Sequence, residues 1–171
     1  MDKRTIKEVG RRTSYYKSDE TLKIKGHLKL TFRDAITGKI KRISEYDNLI
    51  CTVGKTMIAD NLTNASPDNV MRINYVALGT DATAPSAGDT TLGAEASGDR
   101  NTVASETNSN NVAYFTGFFN APDYSGSFKE AGLFAEGTAT EDTGILFSHV
   151  AIDETKAVTE TLTIDWTVTV S

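Results

Sequence analysis

Few side chains in this sequence carry chemistry that spacing alone can organise. His27 and His149 are the only histidines and Cys51 the only cysteine. Neither histidine has a second histidine, a cysteine or a carboxylate at metal-ligand spacing, so a zinc site of the common kinds is not expected. His149 follows Ser148, but neighbours on an extended strand point to opposite faces, which makes a Ser-His nucleophile pair geometrically poor. Paired carboxylates perform acid–base work in glycosidases, and Glu130, Asp153, Glu154 and Asp165 are the conceivable members here. Asp165 falls on a threonine-lined face assigned to solvent, and Asp153-Glu154 is assigned to a turn. Nothing in the pattern makes any two of them converge.

The remaining motifs are weaker. "GTDATAPSAGD" (79–89) scatters oxygen ligands but lacks the alternating acids and central glycine of a calcium loop. "VGKT" (53–56) lacks the upstream glycine of a phosphate loop and follows the wrong element. "RRTSYYK" (11–17) mixes basic and aromatic residues as a nucleic-acid surface would, yet the stretch is short and the rest of the chain is acidic. No catalytic residue, metal or cofactor is expected, and nucleic acid is not an expected partner. The lone thiol reads as buried and inert.

The charge is polarised. Residues 1–55 hold 14 Lys and Arg against 7 Asp and Glu, whereas residues 56–171 hold 4 against 16, for a net charge of −5. Three readings fit: a basic surface for nucleic acid or an acidic partner, solvated strand faces, or copies that pair basic part to acidic part. At 171 residues the chain suits one domain, which buries roughly two thirds of its unfolded surface and needs no disulfide. The charged start "MDKRTIKEV" is no secretory signal, and no run approaches membrane-span length. A soluble protein, made in a cytoplasm and with no membrane partner, is the expectation.

These residues need elements to hold them. Residues 1–20 show no period and read as an arm, with 21–171 as the folded domain. From Leu22 the period is two: Leu22, Ile24, Leu28, Leu30 and Phe32 alternate with polar residues, describing a strand with one dry face. Gly26 marks a bulge or a close backbone approach. A turn around Thr37-Gly38 returns the chain as a second strand from Ile40 to Tyr46. Residues 52–63 form the one expected helix, with Thr52 as N-cap and a stripe of Val53, Met57, Ile58 and Leu62. Residues 71–79 read as a strand apolar on both faces, and 80–98 as a long loop pinned by Leu92.

Arg100 to Thr107 is a polar strand, and "VAYFTGFF" (112–119) is aromatic on both faces, suiting a central strand or a subunit contact. The last segment is the cleanest: Val158, Glu160, Leu162, Ile164, Trp166, Val168 and Val170 face one way and Thr159, Thr161, Thr163, Asp165, Thr167 and Thr169 the other, Glu160 marking a rim. In "FKEAGLF" (128–134), Phe128 and Leu133 are core candidates on either side of Gly132, which permits a bulge or tight packing. Glu130 sits by that bend as an acceptor for free backbone N–H groups, because a buried unpartnered charge is costly. About eight strands and one short helix predict a mainly β fold, an antiparallel β-sandwich or open barrel.

The order of these signals also has a resemblance. "NLICTVGKTMIADNL" (48–62), "INYVALGTDATAPSAGDTTLGAE" (73–95), Arg100, "FKEAGLF" (128–134), "GILFSHV" (144–150) and "LTIDWTVTV" (162–170) recur in an order similar to tail-fibre-like virion proteins of tailed bacteriophages. It covers roughly residues 48–170. The chain ends at Ser171 without a fibre shaft or receptor-binding tip, which favours a short adaptor, a collar or neck component, or a head-fibre or decoration protein.

The resemblance implies a β-rich, non-enzymatic virion protein working as a homo-oligomer, with a trimer the first count to test. Tyr114, Phe115, Phe118 and Phe119 are then the expected oligomer contact. Lys3, Arg4, Lys7, Arg11, Arg12, Tyr15 and Tyr16 form the expected attachment arm toward tail, neck or capsid proteins. Glu130 and Gly132 are the structural turn. The alternative reading is a glycan-binding host-recognition module on the same particle, for which Tyr75, Tyr114, Phe119 and Tyr124 are the aromatic supply.

Overall fold

The alternation at the C-terminus builds a strand with one buried face and one half-exposed face. In the computed structural model, which describes residues 22–63, 71–96 and 100–171, Leu162, Ile164 and Trp166 are buried and the intervening threonines are half-exposed. The attachment-arm residues named above lie outside the described residues. In chain order the elements are β1 (Ile24–Asp34), β2 (Ile40–Ile50), α1 (Thr52–Thr63), β3 (Ile73–Gly79), β4 (Asn101–Thr102), β5 (Ser105–Ser109), β6 (Val112–Phe119), β7 (Gly126–Ala135), β8 (Ile145–Lys156) and β9 (Glu160–Val170).

Among the described residues, nine antiparallel strands run in the order β4-β3-β7-β8-β2-β1-β9-β6-β5 and curl into a half-barrel. The mainly β expectation holds, with nine strands for about eight. The polar stretch from Arg100 splits into two short strands, and there lies the device that bends the sheet. Val103 N–H donates to Asn74 O of β3, and the next residue, Ala104, donates to Thr116 O of β6. One short segment therefore ties the two ends of the sheet together. Across the interior, a Cβ on Gly117 of β6 would stand 3.2 Å from Val76 of β3, so the ends also touch.

On the other side the join is equally short: β2 pairs with β8 only at Leu49–His149 and Ile50–Ser148. Beyond it β2 and β8 part, and side chains fill the gap. Arg42 lies 3.4 Å from the ring centre of Phe32 and donates to Glu154 (3.3 Å) and Glu160 (3.2 Å). Tyr46 donates to Glu154 at 2.8 Å, and Lys41 pairs with Glu160 at 3.0 Å. One sequence expectation is corrected here: Asp153 and Glu154 lie on β8 rather than in a turn. Glu160 is buried at the rim it marks, where cations of β2 reach it. Burial raises the Glu160 carboxyl, but the Ala157 N–H, Lys41 and Arg42 outweigh it and hold it below the usual range.

This placement also accounts for part of the charge polarity. The basic β1–β2 hairpin is inserted between acidic β8 and β9, and Lys29 stands in register between Glu45 and Asp165. Part of the opposition is thus satisfied within one molecule. The hairpin turn follows its sequence: Asp34 Oδ1 accepts the N–H groups of Ile36 and Thr37, and Gly38 takes φ 69°.

Helix α1 has the expected bounds but a different cap and stripe. Cys51 O accepts the first helical hydrogen bond, from Lys55 N–H, so Cys51 and not Thr52 holds the N-cap position. Met57 joins the interior cluster, whereas Leu62 is 79% exposed. Gly54 is buried against β8, where a Cβ would meet Phe147 O at 2.8 Å. Close approach of helix to strand explains a residue that otherwise weakens the helix. Leu22 is likewise exposed, just outside β1.

Candidate functional site

The polar side chains that could do chemistry gather on the outer face of β3, β7 and β8. There Glu130 and Gly132 of β7 stand beside His149 of β8, in register Gly132↔His149. The extra residues of this ladder belong to β8, not to β7 at Gly132: pairing steps from Phe128↔Glu154 to Glu130↔Ala151, and from Leu133↔Ser148 to Phe134↔Leu146. Gly132 serves close packing instead, since a Cβ would lie 2.7–2.9 Å from Phe134, Leu146 and Leu92. Phe128 and Leu133 are fully buried in the interior, as their pattern requires.

The long loop after β3 covers this face. Leu92, 3% exposed, packs with Cys51, Ala77, Phe134 and Leu146. Glu130 fastens the loop through its backbone: Oε1 accepts the N–H groups of Ala94 (2.8 Å) and Asp81 (3.3 Å), and Oε2 that of Gly93 (2.9 Å). The carboxylate thus takes the free backbone donors that its place in the sequence called for. His149 completes the cluster, with Nε2 2.9 Å from Glu130 Oε2 and Nδ1 2.8 Å from Asp89 Oδ2.

Electrostatics follow from that geometry. Burial disfavours the Glu130 carboxylate, but the His149 bond and the three backbone donors overcome it and hold the carboxyl below its usual range. Burial likewise disfavours a charged His149, yet Glu130 and Asp89 together raise it above the ordinary histidine value. Cys51 goes the other way: burial first, then the charge of Asp89, pushes its thiol up to about 11. A protonated buried thiol is a poor nucleophile.

Chemically the cluster is a clamp. Both ring nitrogens of His149 are engaged by carboxylates on opposite sides, so neither is free to take a proton from a bound molecule. Ser148 points away, donating to Leu49 O at 3.1 Å and accepting from Asn48. That second bond explains Gly26, where a side chain would run into Asn48. Among the described residues, no group of three or more His, Cys, Asp or Glu is placed to hold a metal ion, and no helix is long and apolar enough to cross a membrane.

A second clamp closes the same face. Arg100 and Glu95, each with a side chain only 1% exposed, form a two-pronged pair with both distances 2.7 Å. The third guanidinium nitrogen donates to Thr143 O at 2.6 Å, and the plane lies 4.2 Å from the centre of the Phe134 ring. Arg100 therefore ties the end of the covering loop to the β7–β8 connection. Its partner Glu95 had no signal in the sequence beyond its position, because the pairing depends on how two loops meet.

The aromatic strand divides by parity. Tyr114 and Phe118 of β6 face outward and are exposed, whereas Phe119 is fully buried and Phe115 packs on the interior cluster. Phe115 and Phe119 thus serve their own core, and only Tyr114 and Phe118 of the four are open to a neighbour. Phe118 does not stand alone. The register aligns Ile43, Thr31, Thr163 and Phe118 in one row across β2, β1, β9 and β6. Ile43 is 47% and Phe118 40% exposed, and Ile36 and Ile40 are exposed at the same end of the β1–β2 hairpin. Asp165, on the same face, accepts from Thr116 at 3.0 Å. Comparisons of the chain with family models, with curated proteins and with solved structures found no match.

Proposed function

We propose that this protein is a structural building block of a tailed-phage particle, acting through protein–protein contacts as a homo-oligomer. The observation that carries the assembly reading is the outer face of β2, β1, β9 and β6. It is a broad, threonine-lined sheet whose one end presents Ile36, Ile40, Ile43 and Phe118 to solvent. An apolar end of this kind on a polar sheet is the usual mark of a protein contact. The polar clusters point the same way, since Glu130, His149, Glu95 and Arg100 are committed to fastening loops.

The virion setting is supported by the ordered series of motifs from "NLICTVGK" to "LTIDWTVTV". In that setting the basic arm attaches each copy to a tail, neck or capsid surface. A glycan-binding module has less support. Phe119 is buried, Tyr124 stacks on Phe128 at 4.6 Å, and Tyr75 is half-buried near Arg100, which leaves Tyr114 as the exposed ring of that set.

Quantitative mass spectrometry of purified phage particles from a strain that carries the gene tests the reading. A fixed copy number per particle is expected, with loss of incorporation when residues 1–20 are deleted. Particles that lack the chain, or carry it at variable trace levels, overturn the virion reading.

A further inference from the structure

Among the described residues, the buried apolar side chains fall into two groups: the interior of the half-barrel, and Cys51, Ala77, Leu92, Phe134 and Leu146 on the outer face of β3, β7 and β8. The covering loop gives the outer group Leu92 alone, and most of residues 82–91 are exposed. The neck of the loop is closed. Thr80 N–H donates to Ala94 O (2.9 Å), Ala96 N–H donates to Leu78 O (2.8 Å), and the buried Glu95–Arg100 pair stands behind them. The tip is knit to itself: Thr83 N–H donates to Asp81 Oδ1 (3.0 Å), Ser86 N–H to Asp89 Oδ2 (2.8 Å) and Asp89 N–H to Ser86 O (3.1 Å). A loop with its ends together and its own internal bonds behaves as one compact body.

Glu130 grips only the two limbs of this body, through the N–H groups of Asp81, Gly93 and Ala94. The limbs abut there, since a Cβ on Gly93 would run into Asp81. Beyond that grip the fastenings to the sheet and helix are few. Leu92 fills the outer group, Asp89 meets His149 at 2.8 Å, and Thr52 N–H donates to Ala87 O at 2.7 Å. A segment with one buried apolar anchor and an exposed backbone belongs to the low-stability end of a structure. We propose that residues 82–92 form a lid that opens as a unit, hinged at Asp81 and Gly93, while the interior of the half-barrel stays closed. Opening lifts Leu92 out and uncovers Cys51, Phe134, Leu146 and the start of α1. The protein thus has a second state, with an apolar floor that the closed state hides. This inference rests on contacts within one chain and does not depend on the virion reading.

Cys51, the single cysteine and fully buried beneath the lid, is a built-in reporter. Its alkylation by iodoacetamide is measured on the full chain across low urea concentrations, alongside global unfolding read from Trp166 fluorescence. A lid exposes little surface, so the labelling rate should stay flat in low urea and climb only as global unfolding takes over. Leu92→Ala should raise the flat rate roughly tenfold or more, because it deletes the apolar anchor. Ile164→Val, in the interior, should lower the urea midpoint and leave the flat rate unchanged. Labelling that rises steeply from the first addition of urea, and that Ile164→Val speeds up in step with unfolding, overturns the proposal. A labelling rate that Leu92→Ala leaves untouched assigns access to α1 instead and overturns it equally.

Discussion

Glu130 and His149, on neighbouring strands, share a 2.9 Å hydrogen bond that joins the covering loop to the sheet beneath it. Glu130 holds three backbone N–H groups of that loop, and the far nitrogen of His149 reaches its Asp89. One ring thereby links two carboxylates from different segments. The loop's own apolar anchor is Leu92 alone among its large side chains.

The clamp should show a pH window. His149 is raised, so its contribution is fully present below its unfolded value of about 6.5 and is lost as pH rises through the higher folded value. Glu130 is lowered, so its contribution is present above about 4.3 and is lost as pH falls through the lower folded value. The acids that face the ring are Glu130 and Asp89, with Asp81 nearby on the loop. Exchange protection of the loop amides of Gly93 and Ala94 should therefore peak between about pH 4.3 and 6.5. His149→Phe should remove the alkaline limb and destabilise the domain by about 3–5 kcal/mol, because it strips a buried carboxylate of its charged partner. Urea unfolding followed by the fluorescence of Trp166, the single and buried tryptophan, reads that loss. Protection that does not fall as pH rises beyond this window would remove His149 from the clamp.

Gly54→Ala should destabilise, against helix propensity. Alanine is favoured over glycine inside a helix by about 1 kcal/mol. Here the new Cβ would meet the backbone oxygen of Phe147 at 2.8 Å, which cannot move without shifting β8. A net loss of about 1–3 kcal/mol is expected from the overpacking. A rise in the thermal midpoint would mean that helix and strand stand further apart than described.

Arg100→Lys should behave as a severe change despite keeping the charge. A lysine cannot reproduce the two-pronged bond to Glu95 while also reaching Thr143, and it cannot stack flat on Phe134. With Glu95 buried, a loss of about 3–5 kcal/mol is expected. Faster proteolysis in the segments 80–96 and 138–144 should accompany it. A variant as stable as the wild type would reduce the pair to a surface contact.

The strands were legible because their periods are strong. The row from Leu162 to Val168 and the row Leu28, Leu30, Phe32 both bury as alternation requires. Glu130 was legible as an acceptor because a carboxylate beside a core turn has few other stable fates. The partners were not legible. Asp89 and His149 lie 60 residues apart in sequence, and Arg42 and Glu160 118 residues apart. Those meetings depend on strand order and on two bulges in β8. Phe119 and Leu62 show the other limit. Parity assigns Phe119 to the core once β6 is placed, and Leu62 follows the helical stripe yet is exposed near the end of α1.

The assembly claim turns on the row that runs from Ile43 to Phe118. Sedimentation equilibrium of the full chain, compared with an Ile43→Asp/Phe118→Asp variant, tests it most directly. The wild type should sediment as an oligomer, with a trimer the first expectation. The variant should sediment as a folded monomer with unchanged Trp166 fluorescence, since both side chains already face solvent. A monomeric wild type across the accessible concentration range, or an oligomer untouched by the two aspartates, would contradict the account.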